Sequence, residues 1–419
     1  MRVVYLNPSG QLGGAEKVLL NIFASLNAAR PDWTLHLITS APGPLNHRAS
    51  GLGVSVRVLQ FPRSLARLGD AGAGGPAGNH TGRARLALQL LASVPLLMRY
   101  AVRLRATLKE LQPDLVHTNG FKMHILGALA CPKRTPLIWH LHDYVSSRPL
   151  MARMLRLCAR RCSLAITNSH SVGEDLRMVC GKRPRIQTVH NGIDLEDYSP
   201  KGPRLNLDQL SGLPPANGKT VRVGLVGTFA RWKGHETFLR ALASLPEDLP
   251  VRGYIIGDAV YETDNSQHSL LELRRIAVNL NLGTRIGFTG LVEDSAAAMR
   301  ALDIVVHAST QPEPFGLVIA EGMACGRAVI ASQSGGAAEL FLSGVDAFSH
   351  TSGDADMLAE RITELAAQPE LRASLGAAAR ATSEQRFDRS RLAVEMISLY
   401  KSLMPSVVES QSVLLESSL

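Results

Sequence analysis

Hydrophobic residues fall along this chain in short continuous runs, separated by longer stretches with helical spacing. In the first half the runs read VVYLN, LHLITS, VSVRVL, LVHTN, LIWHLH, LAITNS and RIQTVHN. Runs this short and this free of polar positions describe strands buried on both faces, and the stretches between them describe crossover helices. From Pro203 to Thr220 both signals stop and Pro, Gly and Asn take over, which sets a domain boundary. A second series then follows, VRVGLVG, GYIIGD, RIGFTG, IVVHAS and AVIAS, each with a helix-like segment behind it. The pattern predicts an α/β protein of two facing, doubly wound, Rossmann-like domains, residues 1–202 and 203–382, with parallel sheets. Residues 383–419 are expected to form an amphipathic C-terminal helix and a frayed tail. The Gly- and Ala-rich interval from Arg67 to Gly82 is expected to be a surface loop. Ligands of such sheets bind beyond the carboxyl ends of the strands, so the cleft between the domains is the expected site.

Composition narrows this picture. A length of 419 residues suits two cores rather than one. A net charge of +9 calls for anionic partners, and aromatic residues at 5% with no stacking pattern exclude a nucleic-acid platform. The longest uncharged apolar stretch, Leu86 to Met98, is shorter than the roughly 20 residues a bilayer span needs, and it contains Pro95. The opening MRVVYLN reads as a buried strand rather than a secretory leader. Five cysteines in no disulfide or metal pattern read as reduced thiols, so a cytoplasmic protein is expected. Arg83 to Lys109 and Arg148 to Arg161 mix leucines with many arginines. Such helices lie on anionic lipid, or pack normally with a solvated basic face, and both readings stay open.

Chemistry concentrates at a few strand ends. After IVVHAS stands Glu313-Pro314-Phe315-Gly316-Leu317-Val318-Ile319-Ala320-Glu321. If Phe315, Gly316 and Leu317 make the first turn of a helix, their free N–H groups form a cradle for a diphosphate. Eight residues of helix span at most about 12 Å, so one of the two carboxylates, Glu313 and Glu321, can bind the hydroxyls of a donor sugar while the other binds a ribose. The bland alternative is a surface helix carrying two unrelated acids. After VRVGLVG the segment Thr228-Phe229-Ala230-Arg231-Trp232-Lys233-Gly234 offers Lys233, and Arg231 by a forked contact, to a diphosphate leaving group. The loop GQLGGAE lets the backbone at Gly13 and Gly14 approach a phosphate or an acceptor closely, although the dinucleotide fingerprint is incomplete. His142, at the end of LIWHLH, is placed to hydrogen-bond a reacting sugar, whereas His140 reads as a satisfied structural histidine.

At these residues, and at HDY, NSH and HNGID, the chain resembles the family 4 retaining glycosyltransferases of the GT-B fold along nearly its whole length. The resemblance implies transfer from a nucleotide-diphosphate sugar to a glycan or lipid-linked acceptor, with same-face attack, no metal and no other cofactor. It implies that His142 contacts the donor sugar, Lys233 the diphosphate, Glu313 the sugar hydroxyls and Glu321 the ribose. Gly13 and Gly14 would line the cleft, the backbone of Phe315, Gly316 and Leu317 would meet phosphate and sugar, and Leu291 and Val292 would pack the base. The last helix would cross back to the first domain. The chain departs from the family at Thr228, where an arginine is usual, and Arg231 is the available substitute. A nucleotide-sugar epimerase, and a non-catalytic sugar-nucleotide or glycan-binding protein, are the alternative readings.

Overall fold

The computed structural model describes residues 1–61, 80–259 and 266–404, with side chains in the helix His80–Leu111 described from residue 94 onward. The predicted loop at Arg67 to Gly82 lies outside the described residues, except that the helix already runs from His80.

The first sheet holds seven parallel strands, β1 Arg2–Asn7, β2 Thr34–Thr39, β3 Ser55–Val58, β4 Leu115–Asn119, β5 Leu137–Leu141, β6 Leu164–Thr167 and β7 Ile186–Thr188, in the order β3-β2-β1-β4-β5-β6-β7. The second holds six parallel strands, β8 Val221–Val226, β9 Val251–Ile256, β10 Ile286–Gly290, β11 Ile304–His307, β12 Ala328–Ser332 and β13 Phe348–His350, in the order β10-β9-β8-β11-β12-β13. All twelve strands expected from the sequence are present; β13 is an addition.

Helices cover both faces of each sheet, which is why the strands carry no polar alternation. In β1, Val4 and Leu6 point to one helical layer and Val3 and Tyr5 to the other, all of them fully buried. The side-chain period of two does the same in β12, where Ala328 and Ile330 enter one core and Val329 and Ala331 the other. Strand order reverses between β1 and β4 in the first sheet and between β8 and β11 in the second. The loops leaving these four strands therefore open a crevice in each domain.

The C-terminal segment is two helices rather than one. Pro369–Arg386 packs in the second domain, the chain breaks over Phe387 to Arg389, and Ser390–Lys401 packs on the helix Gly14–Ala29 of the first. At the crossing, the Ile193 N–H donates to the Phe387 carbonyl (2.6 Å) and the Arg389 N–H to the Ile193 carbonyl (3.0 Å). Any side chain at Gly192 would meet the Arg389 backbone at 2.7 Å, so glycine lets the two connections lie together. Tyr400 then inserts its hydroxyl between Tyr5 (3.0 Å) and His117 Nδ1 (2.7 Å) inside the first core. Among the described residues no helix is long and apolar enough to cross a membrane, and all five cysteines are free.

Candidate active site between the domains

In the second domain, β11 delivers His307 to the crevice, and Ser309 and Glu313 follow it. Glu313 is buried, with 7% of the residue exposed. Its Oε2 lies 2.7 Å from Lys233 Nζ and 3.2 Å from His307 Nε2, and it accepts the Ser309 hydroxyl at 3.0 Å. Ser332 Oγ holds the other side of His307, 3.2 Å from Nδ1. Burial by itself pushes the Glu313 carboxyl up, but the Lys233 ammonium and His307 outweigh it and hold the group well below the usual carboxylate range. Lys233 comes from the turn Arg231–Lys233, which Gly234 ends at φ +75°. A Cβ there would overlap the Ala308 carbonyl, so glycine is what brings the lysine turn against the end of β11.

The helix after Glu313 runs from Leu317 to Ala324, with Gly316 at its N-cap in the left-handed region (φ +94°). Phe315 therefore precedes the helix, and of the three expected first-turn residues only Leu317 is helical. The Phe315 side chain is buried instead, its ring 5.9 Å from that of His190 and 6.1 Å from that of Phe387. Glu321 is nearly buried and reaches to 3.8 Å from Lys17 Nζ of the first domain. A Cβ on Gly14 would lie 3.2 Å from Leu317 Cδ1, so the GGAE loop faces this helix across the cleft.

On the first-domain wall, the Gly13 N–H donates to Glu16 Oε2 (3.0 Å), and Asn7 Nδ2 donates to Glu16 Oε1 (3.2 Å). Asn119 Nδ2 donates to Asn7 Oδ1 (2.7 Å), which leaves Asn119 Oδ1 to face His142 Nε2 at 2.6 Å. An amide oxygen can only accept, so the network assigns the His142 proton to Nε2 and leaves Nδ1 as an acceptor. Burial lowers His142 to about 4, so the ring is neutral near pH 7. His142 stands one residue past β5. His140 is buried, as expected of a structural histidine, with its ring 4.1 Å from that of His142, but among the described residues neither of its nitrogens has a hydrogen-bond partner.

Three expected contributors lie further out. Arg231 forks onto Glu272 (2.8 and 3.1 Å), with His268 Nδ1 at 3.2 Å. Leu291 and Val292 follow β10; the first is 71% exposed and the second packs on the domain core. Sequence reasoning assigned nothing to Asn7, Asn119, Tyr144, His307 or Ser309. Tyr144 stood in the quoted HDY motif, and its hydroxyl donates across the cleft to the Glu313 carbonyl (3.3 Å). Among the described residues, one group of three places metal-ligating atoms within 4.8 Å of one another, His170, His190 and Glu339. Both Glu339 oxygens there already accept backbone N–H groups.

Two parallel Rossmann-like sheets whose carboxyl ends face one cleft, with a lysine–glutamate pair on one wall and a neutral histidine on the other, define the GT-B architecture of glycosyltransferases. Comparison with known proteins agrees. Residues 12–197 match the model of Glycosyltransferase Family 4 and residues 213–382 that of Glycosyl transferases group 1. The chain is 28% identical to the Anabaena protein Alr3699/HepE, solved in complex with UDP, with a TM-score of 0.76 over 96% of this chain and 100% of that one. It is 25% identical to the sulfoquinovosyl transferase SQD2 of Arabidopsis thaliana, over 70% of this chain but only 57% of the plant protein. It is 22% identical to the N-acetyl-alpha-D-glucosaminyl L-malate synthase of Bacillus anthracis, over 70% of this chain and 75% of that protein. The chain belongs to the family 4, group 1 glycosyltransferases.

Proposed function

We propose that the protein transfers a sugar from a nucleotide-diphosphate sugar to a glycan or lipid-linked acceptor with retention of configuration, and without a metal. The observation that carries this reading is the buried Glu313 carboxylate paired at 2.7 Å with Lys233, at the mouth of a crevice that opens onto His142. Lys233 and the first N–H groups of the helix Leu317–Ala324 attract the diphosphate and stabilise the charge that develops on it as it leaves. Glu313 and the backbone of Phe315 and Gly316 orient the sugar, Glu321 takes the ribose, and Leu291 with Val292 borders the base. His142, neutral and with Nδ1 free to accept, holds a hydroxyl of the reacting sugar against Gly13 and Gly14. The bond between the anomeric carbon and the phosphate oxygen breaks as the acceptor oxygen bonds to the same face, and the departing phosphate oxygen takes the acceptor proton. Solved Anabaena HepE complexes with UDP and with UDP-glucose make a uridine donor the first to test.

The same reading puts the acceptor at a cytoplasmic membrane face. The helices His80–Leu111, Phe121–Ala130, Pro149–Cys158 and His170–Cys180 pack in sequence on one side of the first sheet. Their outer faces expose Met98, Val102, Leu157 and Met178 among Arg99, Arg103, Arg105, Arg153, Arg156 and Arg160. Apolar side chains set among cations suit an anionic lipid surface.

The test is a thermal-shift series with UDP-, GDP- and ADP-sugars on the wild type and Glu321→Ala. One nucleotide class should stabilise the wild type and fail with the variant, and its turnover should survive EDTA and give product of unchanged anomeric configuration. No shift with any donor, or inversion at the anomeric carbon, would overturn the reading. For the membrane arm, salt-sensitive co-sedimentation with phosphatidylglycerol vesicles is expected, and equal binding to neutral vesicles would count against it.

A further inference from the structure

The cleft is bridged by a contact between Glu339 and the helix that follows the NSH motif. Helix His170–Cys180 of the first domain begins with three N–H groups that its own backbone cannot satisfy. Ser169 Oγ, at the N-cap, accepts from Val172 (3.1 Å). The other two are taken by the second domain: Glu339 Oε2 accepts from the His170 N–H (2.9 Å) and Oε1 from the Ser171 N–H (2.8 Å). His190 Nε2 lies 3.3 Å from the same carboxylate. A negative charge facing the positive end of a helix, through two charge-assisted hydrogen bonds, is a strong directional contact.

Glu339 closes the turn Gly336–Glu339, and the segment leading into that turn is hydrogen-bonded to the backbone of Glu313. Glu313 N–H donates to the Ser334 carbonyl (3.4 Å), Ala337 N–H donates to the Glu313 carbonyl (3.3 Å), and Glu313 pairs with Gly335 as an isolated bridge. Tyr144 of the first domain ties the same segment: its hydroxyl accepts the Gly336 N–H (3.2 Å) and meets Ser171 Oγ (2.9 Å). The approach leaves no room for side chains. A Cβ at Gly335, where φ is +67°, would lie 2.7 Å from the Glu313 carbonyl oxygen, and one at Gly336 would lie 2.6 Å from Ser169 Oγ. Domain contact and the placement of Glu313 are thus made by one short segment.

We infer that Glu339 is a positioning residue for transfer: by capping the helix His170–Cys180 from the opposite domain it holds the cleft closed and sets Glu313 against the first-domain wall. The inference rests on the glycosyl-transfer reading and goes beyond it, since that reading gives Glu339 no contact with the donor. The experiment compares Glu339→Gln, Glu339→Ala and Ser169→Ala with wild type, using UDP-glucose and the acceptor found for the wild type. Glu339→Gln should lower kcat by about tenfold, with the donor KM within about twofold, because closure rather than donor affinity is lost. Glu339→Ala should lower kcat further, and small-angle scattering should show a larger radius of gyration than for the wild type. Ser169→Ala, which weakens the same helix end from within its own domain, should leave kcat within about twofold. Unchanged kcat in both Glu339 variants, a rise in donor KM that accounts for the whole loss, or an equal loss in Ser169→Ala would each overturn the inference. Scattering needs no substrate, so a chain that binds no donor yet expands on Glu339→Ala would sink the transfer reading and leave the interdomain contact standing.

Discussion

Around its switch point the first domain gathers Asn7, Asn119 and His142, neutral groups joined by hydrogen bonds, whereas the second gathers Lys233 and Glu313, a charged pair set on His307 and Ser309. Strand order about the two crevices is the same, with consecutive strands stepping outward from β1/β4 and from β8/β11. Topology therefore fixes where chemistry is presented, and the few residues after each strand decide its kind. On the first wall the Glu16 carboxylate is taken up by Asn7 and the Gly13 N–H, leaving neutral groups that suit uncharged hydroxyls, whereas the charged wall suits a diphosphate whose charge changes during reaction.

The sharpest way to break the contrast is to remove one charge. Lys233→Met leaves the Glu313 carboxylate buried without its counter-ion and should cost about 3 kcal/mol of stability, with transfer falling about 1000-fold. Adding Glu313→Gln to that variant should return most of the stability in a denaturant titration and none of the activity. Recovery of activity would show that the pair is structural.

Acid separates the domains next. Burial holds His117 near 3 and His142 near 4, below the ordinary 6.5, and His124 and His140 are lowered as well. The unfolded chain binds these protons first, so their contribution to stability is complete above 6.5, declines as pH falls through that value and levels off only below the lowered values. Glu313, depressed from 4.5, contributes fully above 4.5 and loses its contribution only as pH falls toward its depressed value. The second domain has lowered histidines of its own in His235 and His350, fewer than the first. Hydrogen exchange at pH 7 and pH 5 should thus show protection falling first in peptides of the first sheet. Earlier loss in the second sheet would refute the assignment.

A smaller effect is expected at the neutral wall itself. His142→Gln keeps a donor toward Asn119 but loses the Nδ1 acceptor, and kcat should fall roughly tenfold with the melting temperature little changed. The smallest belongs to Arg231→Ala. Its half-exposed pair with Glu272 is worth at most about 1 kcal/mol, and donor affinity by calorimetry should stay within about twofold.

These cases also mark what the sequence could show. Strands buried on both faces leave uninterrupted apolar runs, so twelve of them were legible; β13, reading Phe-Ser-His with its serine half-buried at a sheet edge, leaves none. Lys233, Glu313 and His142 were legible because each stands at a strand end or on a glycine-marked turn. Arg231 shows the limit: its charge is written in the sequence but its partner Glu272 stands 41 residues away. Asn7, Asn119 and Tyr144 escaped for the same reason, since each gains its role from partners brought close only by the fold. The helix start was misplaced because nothing local shows that Gly316 turns left-handed ahead of Leu317 while the Phe315 side chain fills a core.

The return of the chain to its first domain has a consequence for how the protein is made. Tyr400 bonds Tyr5 across 395 residues of sequence, and Leu392 and Met396 are part of the same core as Val18, Ile22 and Phe23. On a ribosome the second domain can fold as soon as it emerges, whereas the first must wait, one core face uncovered, until its last helix is synthesised. The domain that is translated first is therefore the one completed last, and during that interval it is the half most exposed to chaperones and proteases.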